Sequence, residues 1–490
     1  MQPEFDIELY NERLNALFSR FQSVQKVGFT GDAYKPGLSG MERLSALLGD
    51  PWKAYPCVHV AGTNGKGSVC SMLAAALAGG AVCAGGHPRR AKGPTASRKG
   101  SPVRALPLRM NPDGTAPRVG LYTSPHLLDF RERMKIVSGD GFEMISREEV
   151  WEFLNEYEAE LEGLSFFEVT TGMAFWWFAQ RGVDAAVIEA GLGGRLDSTN
   201  IITPVLSVIT SIGLDHCALL GSTRALIAGE KAGIFKPGVP AVVGVRDPET
   251  APVFEAAAVA AGAPLVFASD VPEFDSESDL LARMDLTGPC QNLNLHTVLV
   301  ALAVIASPTA LTATADNAPP ICDGPLPLSR GWRRSCEAIP SSAKITGLWG
   351  RWQLVCREPE VICDIGHNPP ALKENFGRLE GLQLEGRSLI IVYGIMADKD
   401  LAGIAPMMPA GATYILTAPD SPRSMPADEL AARLAELRPD IKSENVPVVA
   451  DAVRRALRLA QDLPNPLIYI GGSTFVVAEA LPLFNENTGI

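Results

Sequence analysis

The sequence predicts an α/β protein of two domains, the first built on a doubly wound parallel sheet. Short apolar segments typical of buried strands alternate with segments of helical length through residues 57–245. The same alternation returns through residues 361–470, after the Pro-, Ala- and Ser-rich stretch 308–343. A chain of 490 residues also suits two or three domains. Alternation of this kind is typical of parallel sheets that are covered by helices on both faces.

Apolar periodicity predicts each element of the first domain in turn. Apolar residues at helical spacing predict a surface helix near the start, and the strongly apolar stretch with Trp176 and Trp177 predicts a buried one. The predicted helices cover residues 5–25, 41–48, 69–77, 147–161, 166–180 and 225–235. Uninterrupted apolar runs predict strands at 57–61, 119–122, 185–189, 205–210 and 239–245.

The second domain begins near Ile345 and repeats the pattern on a smaller scale. Its predicted strands cover residues 361–364, 388–393, 412–417 and 466–470, and its helices cover about 370–380, 427–437 and 449–462. We expect domain boundaries at 1–338 and 339–490, with 308–343 as linker and a short helix.

Residues 82–118 interrupt the first domain and carry eight Arg or Lys residues but one acid, Asp113. The segment is rich in Gly, Pro and Ser and has no apolar periodicity, which predicts a flexible, exposed insertion. A basic nucleic-acid-binding tail is the alternative. The segment contains no aromatic residue, and the net charge of −12 argues against nucleic-acid binding in general.

Composition predicts a soluble globular protein with a sizeable core, since 47% of residues are hydrophobic and 20% are charged. The nine cysteines are scattered without a C-x-x-C pair, which predicts reduced, mostly buried thiols in a cytoplasmic protein. The sequence contains neither a signal peptide nor an apolar run of about 18 residues, so we expect no membrane contact.

A Gly-rich loop follows the first predicted strand and opens the next helix. Its spacing, G-x2-G-K-G-S, differs from the common G-x4-G-K-[ST] form. A simple strand–helix turn is the alternative interpretation, but the Lys, the hydroxyl, the strand and the helix together favour a nucleotide site. Backbone N–H groups and the helix N-terminus would then bind phosphate. The residues predicted to do so are Gly62, Thr63, Asn64, Gly65, Lys66, Gly67 and Ser68.

Acidic and basic side chains follow two of the neighbouring strands. Glu189 ends one strand before a Gly-rich turn, and Asp215 and His216 follow the next. The carboxyl ends of parallel strands meet at one edge, so these side chains should lie beside the P-loop. A carboxylate next to phosphates suits Mg²⁺, although a strand-end Glu taken alone can be purely structural.

Seven motifs together resemble the folylpolyglutamate synthase/dihydrofolate synthase family of the Mur ligase superfamily. They occur in the family's order and cover nearly the whole chain except 82–118 and parts of 308–343. They are Ala61–Ser68, Tyr122–Leu127, Glu189–Asp197, Gly213–His216, Glu230–Ile234, Gly350–Gln353 and Asp364–Pro369. The resemblance implies a P-loop-type, doubly wound ATPase domain followed by a smaller Rossmann-like α/β domain.

The resemblance also implies an ATP-dependent ligase. Such an enzyme joins L-glutamate to a pteroate or folate carboxylate through an acyl phosphate and releases ADP and phosphate. We expect a monomeric, bifunctional dihydrofolate synthase and folylpolyglutamate synthase that acts on dihydropteroate or reduced folate. The alternatives are a Mur-type ligase acting on a cell-wall precursor and an ATP-binding module without ligase activity.

The resemblance implies a role for each residue that the family's motifs place in the site. The catalytic residues would be Lys66, His216 and Lys231, with Lys231 carbamylated. Ser68, Ser124, Glu189 and His216 would bind two Mg²⁺ ions, and K⁺ is a further candidate cation. The hinge and the second domain would add the nucleotide contacts Asn294, Arg351, Asp364 and His367. The substrate contacts would be Phe167, Glu168, Val169, Thr170, Leu196, Asp197, Ser198 and Ser473.

Two of these assignments have open alternatives, and one position departs from the family's pattern. Lys231 could be an ordinary helix-surface lysine, and the substrate contacts could be loop or core residues. Cys290 stands where the family's hinge pattern, His-Gln-x-x-Asn, has its histidine, so that contribution is in question. His59 lies within a predicted strand and is expected to be packed rather than catalytic.

Overall fold

The computed structural model describes residues 37–79, 115–306 and 335–484, together with parts of a helix within residues 7–14. Most of the predicted insertion and linker, and most of the predicted helix at 5–25, lie outside these ranges. Two α/β units are present, each with its own sheet.

The first unit is built on an eight-stranded sheet with the strand order β4-β3-β2-β5-β1-β6-β7-β8. All neighbours pair in parallel except β2–β3 and β3–β4, which are antiparallel. This confirms the predicted class and adds an antiparallel hairpin at one edge. The strands are β1 Cys57–Ala61, β2 Val119–Tyr122, β3 Met134–Ser138, β4 Gly141–Met144, β5 Ala185–Glu189, β6 Leu206–Ile209, β7 Ala241–Val243 and β8 Leu265–Phe267.

Helices cover both faces of this sheet. On one face α2 and α9 share a core with the strands, and on the other lie α1, α3 and α4 at one end and α6 and α7 at the other. The helices are α1 Ser39–Leu47, α2 Lys66–Ala78, α3 Arg147–Glu156, α4 Phe166–Gln180, α5 Cys217–Leu220, α6 Arg224–Ala232, α7 Ala251–Ala261, α8 Glu277–Ala282 and α9 Gln291–Ala306. No helix in the described ranges is long and apolar enough to cross a membrane.

Residues 335–346 return to the first unit before the chain enters the second. Cys336, Ile339 and Ile345 are buried in the same core as α2, and the segment ends in α10, Ser342–Thr346. The Nζ of Lys135 donates to the carbonyl oxygens of Thr346 and Gly347, both at 2.8 Å. These bonds satisfy carbonyls that a helix C-terminus leaves unpaired. The predicted division between residues 338 and 339 remains a prediction.

The second unit is built on a six-stranded sheet with the order β13-β12-β11-β14-β10-β9, in which β9 alone is antiparallel to its neighbour. Its strands are β9 Gln353–Arg357, β10 Glu360–Asp364, β11 Ser388–Tyr393, β12 Thr413–Ala418, β13 Lys442–Val448 and β14 Pro466–Gly471. Helices α11 Pro369–Leu384, α12 Leu401–Ile404 and α13 Ala427–Leu437 cover one face, and α14 Val449–Ala460 and α15 Thr474–Ala480 cover the other.

His296 joins α9 to the first residue of α8 and to the segment that precedes it. Its Nδ1 lies 2.9 Å from Oε2 of Glu277, and its Nε2 lies 2.9 Å from the carbonyl oxygen of Ala268. Both ring nitrogens face acceptors, an arrangement that only the doubly protonated ring satisfies in full. Burial would lower the pKa of His296, but the hydrogen bond and charge of Glu277 outweigh it and raise the pKa.

A group with a raised folded-state pKa stabilises the fold at low pH. The contribution of His296 to the free energy of unfolding is fully present below its unfolded-state pKa of about 6.5. It is lost as the pH rises through the higher pKa of the folded state. We therefore expect the free energy of unfolding of His296→Gln to lose that pH dependence. Urea unfolding from pH 5.5 to pH 8.5 measures this, with Glu277→Gln as a second variant. An unchanged pH slope in both variants would contradict the prediction.

Candidate nucleotide and metal site

The P-loop connects the carboxyl end of β1 to the N-terminus of α2. Gly65 is the residue before the first helical turn and has φ of 86°, a left-handed conformation that favours glycine. A Cβ at this position would also collide with the side-chain oxygen of Asn294. The loop therefore leaves the first N–H groups of α2 facing the cavity, as an anion-binding helix N-terminus requires.

The segment after β6 holds the P-loop in place. The Oγ1 of Thr210 donates to the carbonyl oxygen of Asn64 at 2.6 Å, and the N–H of Thr63 donates to that of Ser211 at 2.7 Å. The Oγ1 of Thr63 exchanges hydrogen bonds with the backbone of Gly213. The loop conformation is thus fixed by the protein alone, which lowers the entropic cost of binding phosphate.

Two lysines converge on one backbone oxygen. The Nζ atoms of Lys66 and Lys231 donate to the carbonyl oxygen of Gly62 at 3.0 Å and 2.8 Å. Lys231 is only 4% exposed, so it is not a helix-surface lysine. Burial, and next the charge of Lys66, lower the pKa of Lys231 to about 7. A substantial fraction of its amine is therefore neutral near pH 7, which is unusual for lysine.

The predicted metal ligands Ser68, Ser124 and Glu189 line the same cavity. Glu189 is 3% exposed, and burial raises its pKa against the opposing charges of Lys66 and Arg351. One carboxylate and two hydroxyls are oxygen donors that suit Mg²⁺ completed by water and phosphate oxygens. In the described ranges, no three His, Cys, Asp or Glu side chains are grouped as a metal site by themselves. The donor set therefore fits a cation shared with a phosphate ligand.

His216 lies beside the cavity, after β6. Its Nε2 lies 3.8 Å from Oδ2 of Asp215. Burial lowers the pKa of His216 to about 4, so the ring is neutral at pH 7, the form that binds metal ions. Burial would raise the pKa of Asp215, but the charges of Lys399 and of His216, which is protonated at the low pH where Asp215 titrates, outweigh it and hold the pKa well below its usual range.

The second unit contributes Arg351, Asp364 and His367 to the cavity. A Cβ on Gly67 would lie 3.2 Å from Nη2 of Arg351, so the guanidinium lies directly over the P-loop. The carboxylate of Asp364 accepts hydrogen bonds from the backbone N–H groups of Trp352 and Gly366 at 2.8 Å and 2.7 Å. Arg351 is thus placed to contact a phosphate, whereas Asp364 orders the loop that carries it.

The cavity has a volume of about 330 Å³ and is lined from both units. It brings together Thr63–Ser68, Ser124, Glu189, Asn294, Arg351, Asp364 and His367. Gly62, His216 and Lys231 lie next to it but do not line it. Cys290 lines it as well, and burial raises the pKa of this thiol to about 11, so it stays protonated at neutral pH.

Comparison with known proteins identifies the family. Residues 350–474 match the family described as Mur ligase, glutamate ligase domain. The chain is 32% identical over 400 residues to the dihydrofolate synthase/folylpolyglutamate synthase of Escherichia coli, and 81% of each chain is covered. The chain belongs to the folylpolyglutamate synthase/dihydrofolate synthase family. This confirms the resemblance inferred from the motifs.

Other family members agree in sequence and structure. The chain is 31% identical over 490 residues to the probable bifunctional folylpolyglutamate synthase/dihydropteroate synthase of Haloferax volcanii, and it spans 50% of that protein's length. The folylpolyglutamate synthase of Mycobacterium tuberculosis complexed with ADP superposes with a TM-score of 0.72 at 26% identity, covering 98% and 99% of the two chains. A bifunctional enzyme of the family with Mn, AMPPNP and L-glutamate bound gives a TM-score of 0.65 at 28% identity, covering 92% and 94%.

The predicted substrate residues of α4 lie outside the cavity lining. Phe167 packs against Gly191 and the ring of Tyr122. The carboxylate of Glu168 accepts from the N–H of Ser165 at 2.7 Å in a capping box. Val169 is a core residue, and the hydroxyl of Thr170 lies 3.1 Å from that of Tyr122. Their role toward a substrate in this family member stays a prediction.

The remaining predicted substrate residues also have structural partners. Asp197 accepts from the N–H of Leu192 at 2.8 Å and from Thr199, which orders the turn that contains Leu196 and Ser198. Ser473, in the second unit, caps the N-terminus of α15. Neither Asp197 nor Ser473 lines the cavity, and both assignments stay predictions.

Sequence reasoning assigned no role to three residues that shape the site. Thr210 and Ser211 hold the P-loop, and the Nε2 of Gln291 donates to Oγ of Ser68 at 3.4 Å. Gln291 belongs to the hinge motif that begins at Cys290, so the sequence could have indicated a role for it. Thr210 and Ser211 end an ordinary apolar strand, and nothing in their local sequence marks them.

Proposed function

We propose that this chain is an ATP-dependent ligase that joins L-glutamate to the carboxylate of a pteroate or folate. The γ-phosphoryl group of ATP passes to the substrate carboxylate, giving an acyl phosphate. The amino group of glutamate then attacks the acyl carbon, phosphate leaves, and an amide remains. The observation that carries the proposal is that Lys66, Glu189 and Arg351 line the same cavity at the N-terminus of α2.

Each of these residues has a part suited to phosphoryl transfer, where charge neutralisation and positioning do most of the work. Lys66 and the loop N–H groups would bind the β- and γ-phosphates, and Arg351 would bind phosphate oxygens from the other side. A planar guanidinium can do so through two parallel hydrogen bonds. Glu189, Ser68 and Ser124 would hold Mg²⁺, which neutralises charge on the transferring group.

The proposal includes a second divalent cation near His216 and a carbamylated Lys231 as its anionic partner. The neutral ring of His216 and the lowered pKa of Lys231 support both roles. K⁺ is a further candidate. We also propose that the enzyme acts as a monomer and that it works in the cytoplasm; the free cysteines of the described ranges are in line with the cytoplasm.

Both the first glutamate addition, to dihydropteroate, and later additions, to reduced folates, are part of the proposal. Relatives from Escherichia coli and Bacillus subtilis are named for both activities, which supports bifunctionality. A Mur-type ligase for a cell-wall precursor is less favoured because these relatives act on folates by name. An ATP-binding module without ligase activity is disfavoured because Lys66, Glu189 and Arg351 line one cavity, as phosphoryl transfer requires.

A phosphate-release assay tests the proposal. We expect release that requires ATP, L-glutamate and either dihydropteroate or a reduced folate, with amide formation confirmed by mass spectrometry. Turnover on each folate substrate, measured separately, reports the two activities. A folded sample that binds ADP but releases no phosphate with either substrate would contradict the proposed function.

A further inference from the structure

Asn64, at the centre of the P-loop, is hydrogen-bonded to the second unit. Its Nδ2 donates to Oδ1 of Asn368 at 3.1 Å, and Nδ2 of Asn368 donates back to Oδ1 of Asn64 at 2.9 Å. Asn368 also caps α11 by accepting from the N–H of Ala371 at 3.1 Å. The phosphate-binding loop of one unit and a helix start of the other are thus joined through two amides.

Asp215 anchors this pair from the first unit. Its Oδ2 accepts from Nδ2 of Asn368 at 3.0 Å, and its Oδ1 accepts from Nζ of Lys399 at 3.1 Å. Lys399 lies in the loop between β11 and α12 of the second unit. The two side chains of the ion pair are 12% and 13% exposed, so water screens their attraction only partly. We call Asn64, Asp215, Asn368 and Lys399 the interdomain clasp.

The carboxylate of Asp215 and the backbone N–H of Ala371 together set the direction of the amide hydrogen bonds in the clasp. A primary amide can present either its oxygen or its NH₂ group, whereas an ionised carboxylate only accepts. Asp215 therefore turns the NH₂ group of Asn368 toward itself. The oxygen of Asn368 is left to accept from Ala371 and Asn64, and the amide of Asn64 is oriented in turn.

We propose that Asp215 is a positioning residue which, through Lys399 and Asn368, holds the second unit against the P-loop and fixes the side chain of Asn64. The inference rests on the proposed function for the identity of the nucleotide, and on the contacts alone for the coupling between units. Its consequence is that Arg351 of the second unit is held over Gly67 of the P-loop. The clasp thus increases the population of the binding-competent arrangement, on which apparent affinity depends.

Two variants and their combination test the clasp. Lys399→Met and Asp215→Asn should each weaken ADP binding about 10-fold, by lowering the competent population. In the ligand-free chain, amide hydrogen exchange should become faster in peptides covering both 62–68 and 364–372. The double variant should bind ADP no more weakly than the weaker-binding single variant, because both substitutions break the same ion pair. In the ligase assay, KM of Lys399→Met for ATP should rise about 10-fold while its kcat changes little, since saturating ATP restores the arrangement.

Arg387→Met is the matched control, because it breaks a 2.9 Å ion pair with Glu360 inside the second unit. It should leave ADP binding and exchange in 62–68 unchanged. Additive effects of the two clasp variants would overturn the proposal. So would a lower kcat with unchanged ADP affinity and exchange, which would mean that Lys399 acts on the reacting groups. If Asp215→Asn does not fold, Lys399→Met with the same readouts decides alone. If the chain proves to have no ligase activity, ADP binding and amide hydrogen exchange still test the interdomain clasp.

Discussion

Lys66→Ala is expected to lower turnover by about 10³-fold or more, the scale seen when a cation that stabilises phosphoryl transfer is removed. Lys66 lies at the start of α2 and donates within the loop, to Gly62 and Thr63. Replacing Lys66 by Ala removes the positive charge that would neutralise the β- and γ-phosphates. It removes no apolar contact from the core. Steady-state kinetics of phosphate release, together with circular dichroism and thermal unfolding, measures both effects.

Lys236→Ala provides the comparison for this variant. Lys236 also donates to a backbone oxygen, that of Asn200 at 2.7 Å, but does not line the cavity. We expect it to change stability with little effect on turnover. Near-normal turnover of a folded Lys66→Ala sample would disprove the P-loop assignment.

The second large effect is expected for Lys231→Ala. A carbamate forms when a neutral amine attacks CO₂, making an N–C bond and releasing one proton. The pKa of about 7 makes that neutral amine available at the pH of the assay. Carbamylation would turn one of two cations on the Gly62 carbonyl into an anion that can bridge to a metal ion. Loss of this ligand should reduce activity by about 10²-fold or more, at least as much as loss of a residue that only supports a metal ligand.

Chemical rescue distinguishes the carbamate from a structural lysine. Acetate or formate should partly restore Lys231→Ala, because a small carboxylate can occupy the space left by the carbamate. Lys231→Arg keeps a cation that can donate to Gly62 but cannot be carbamylated, and should be neither active nor rescued. Full activity of Lys231→Arg, or a crystal structure grown with bicarbonate that has an unmodified lysine, would refute the assignment.

The element bounds that were predicted best are those that both an apolar composition and a helix-capping pattern mark in the sequence. The prediction for α4, Phe166–Gln180, agrees residue for residue, because its apolar composition follows the capping box Ser165–Glu168. The prediction of α3 extended to residue 161, but the helix ends at Glu156 and turns follow it. Helix α2 begins at Lys66 rather than 69 because the loop passes directly into the first turn.

The elements that were not predicted include the edge strands of both sheets. The strand β13, Lys442–Val448, is mostly exposed and polar, so it lacks the apolar run that marks a buried strand. The hairpin strand β4 is half exposed for the same reason. Edge strands owe their pairing to a neighbour that is already in place, and local sequence does not encode that neighbour.

For the site, motifs predicted which loops matter, and topology explains why they meet at one edge of the first sheet. The interdomain clasp was beyond sequence reasoning. Asn64 and Asn368 belong to separate motifs and are far apart in the chain. Lys399 lies in an Asp-Lys-Asp turn that resembles any exposed loop. Such pairings depend on the relative placement of two units.

The position of β1 at the middle of the first sheet has a consequence for synthesis on the ribosome. Its hydrogen-bonding partners are β5 and β6, where Val58 pairs with Val187 and Leu206. Elongation proceeds at about 5–20 residues per second. The strand β1 and the apolar helix α2 therefore remain without β5 and β6 for at least several seconds after they leave the ribosome. During that interval an aggregation-prone strand and helix are exposed on the nascent chain. Chaperones that bind apolar segments should therefore engage this protein early, before its nucleotide loop can form.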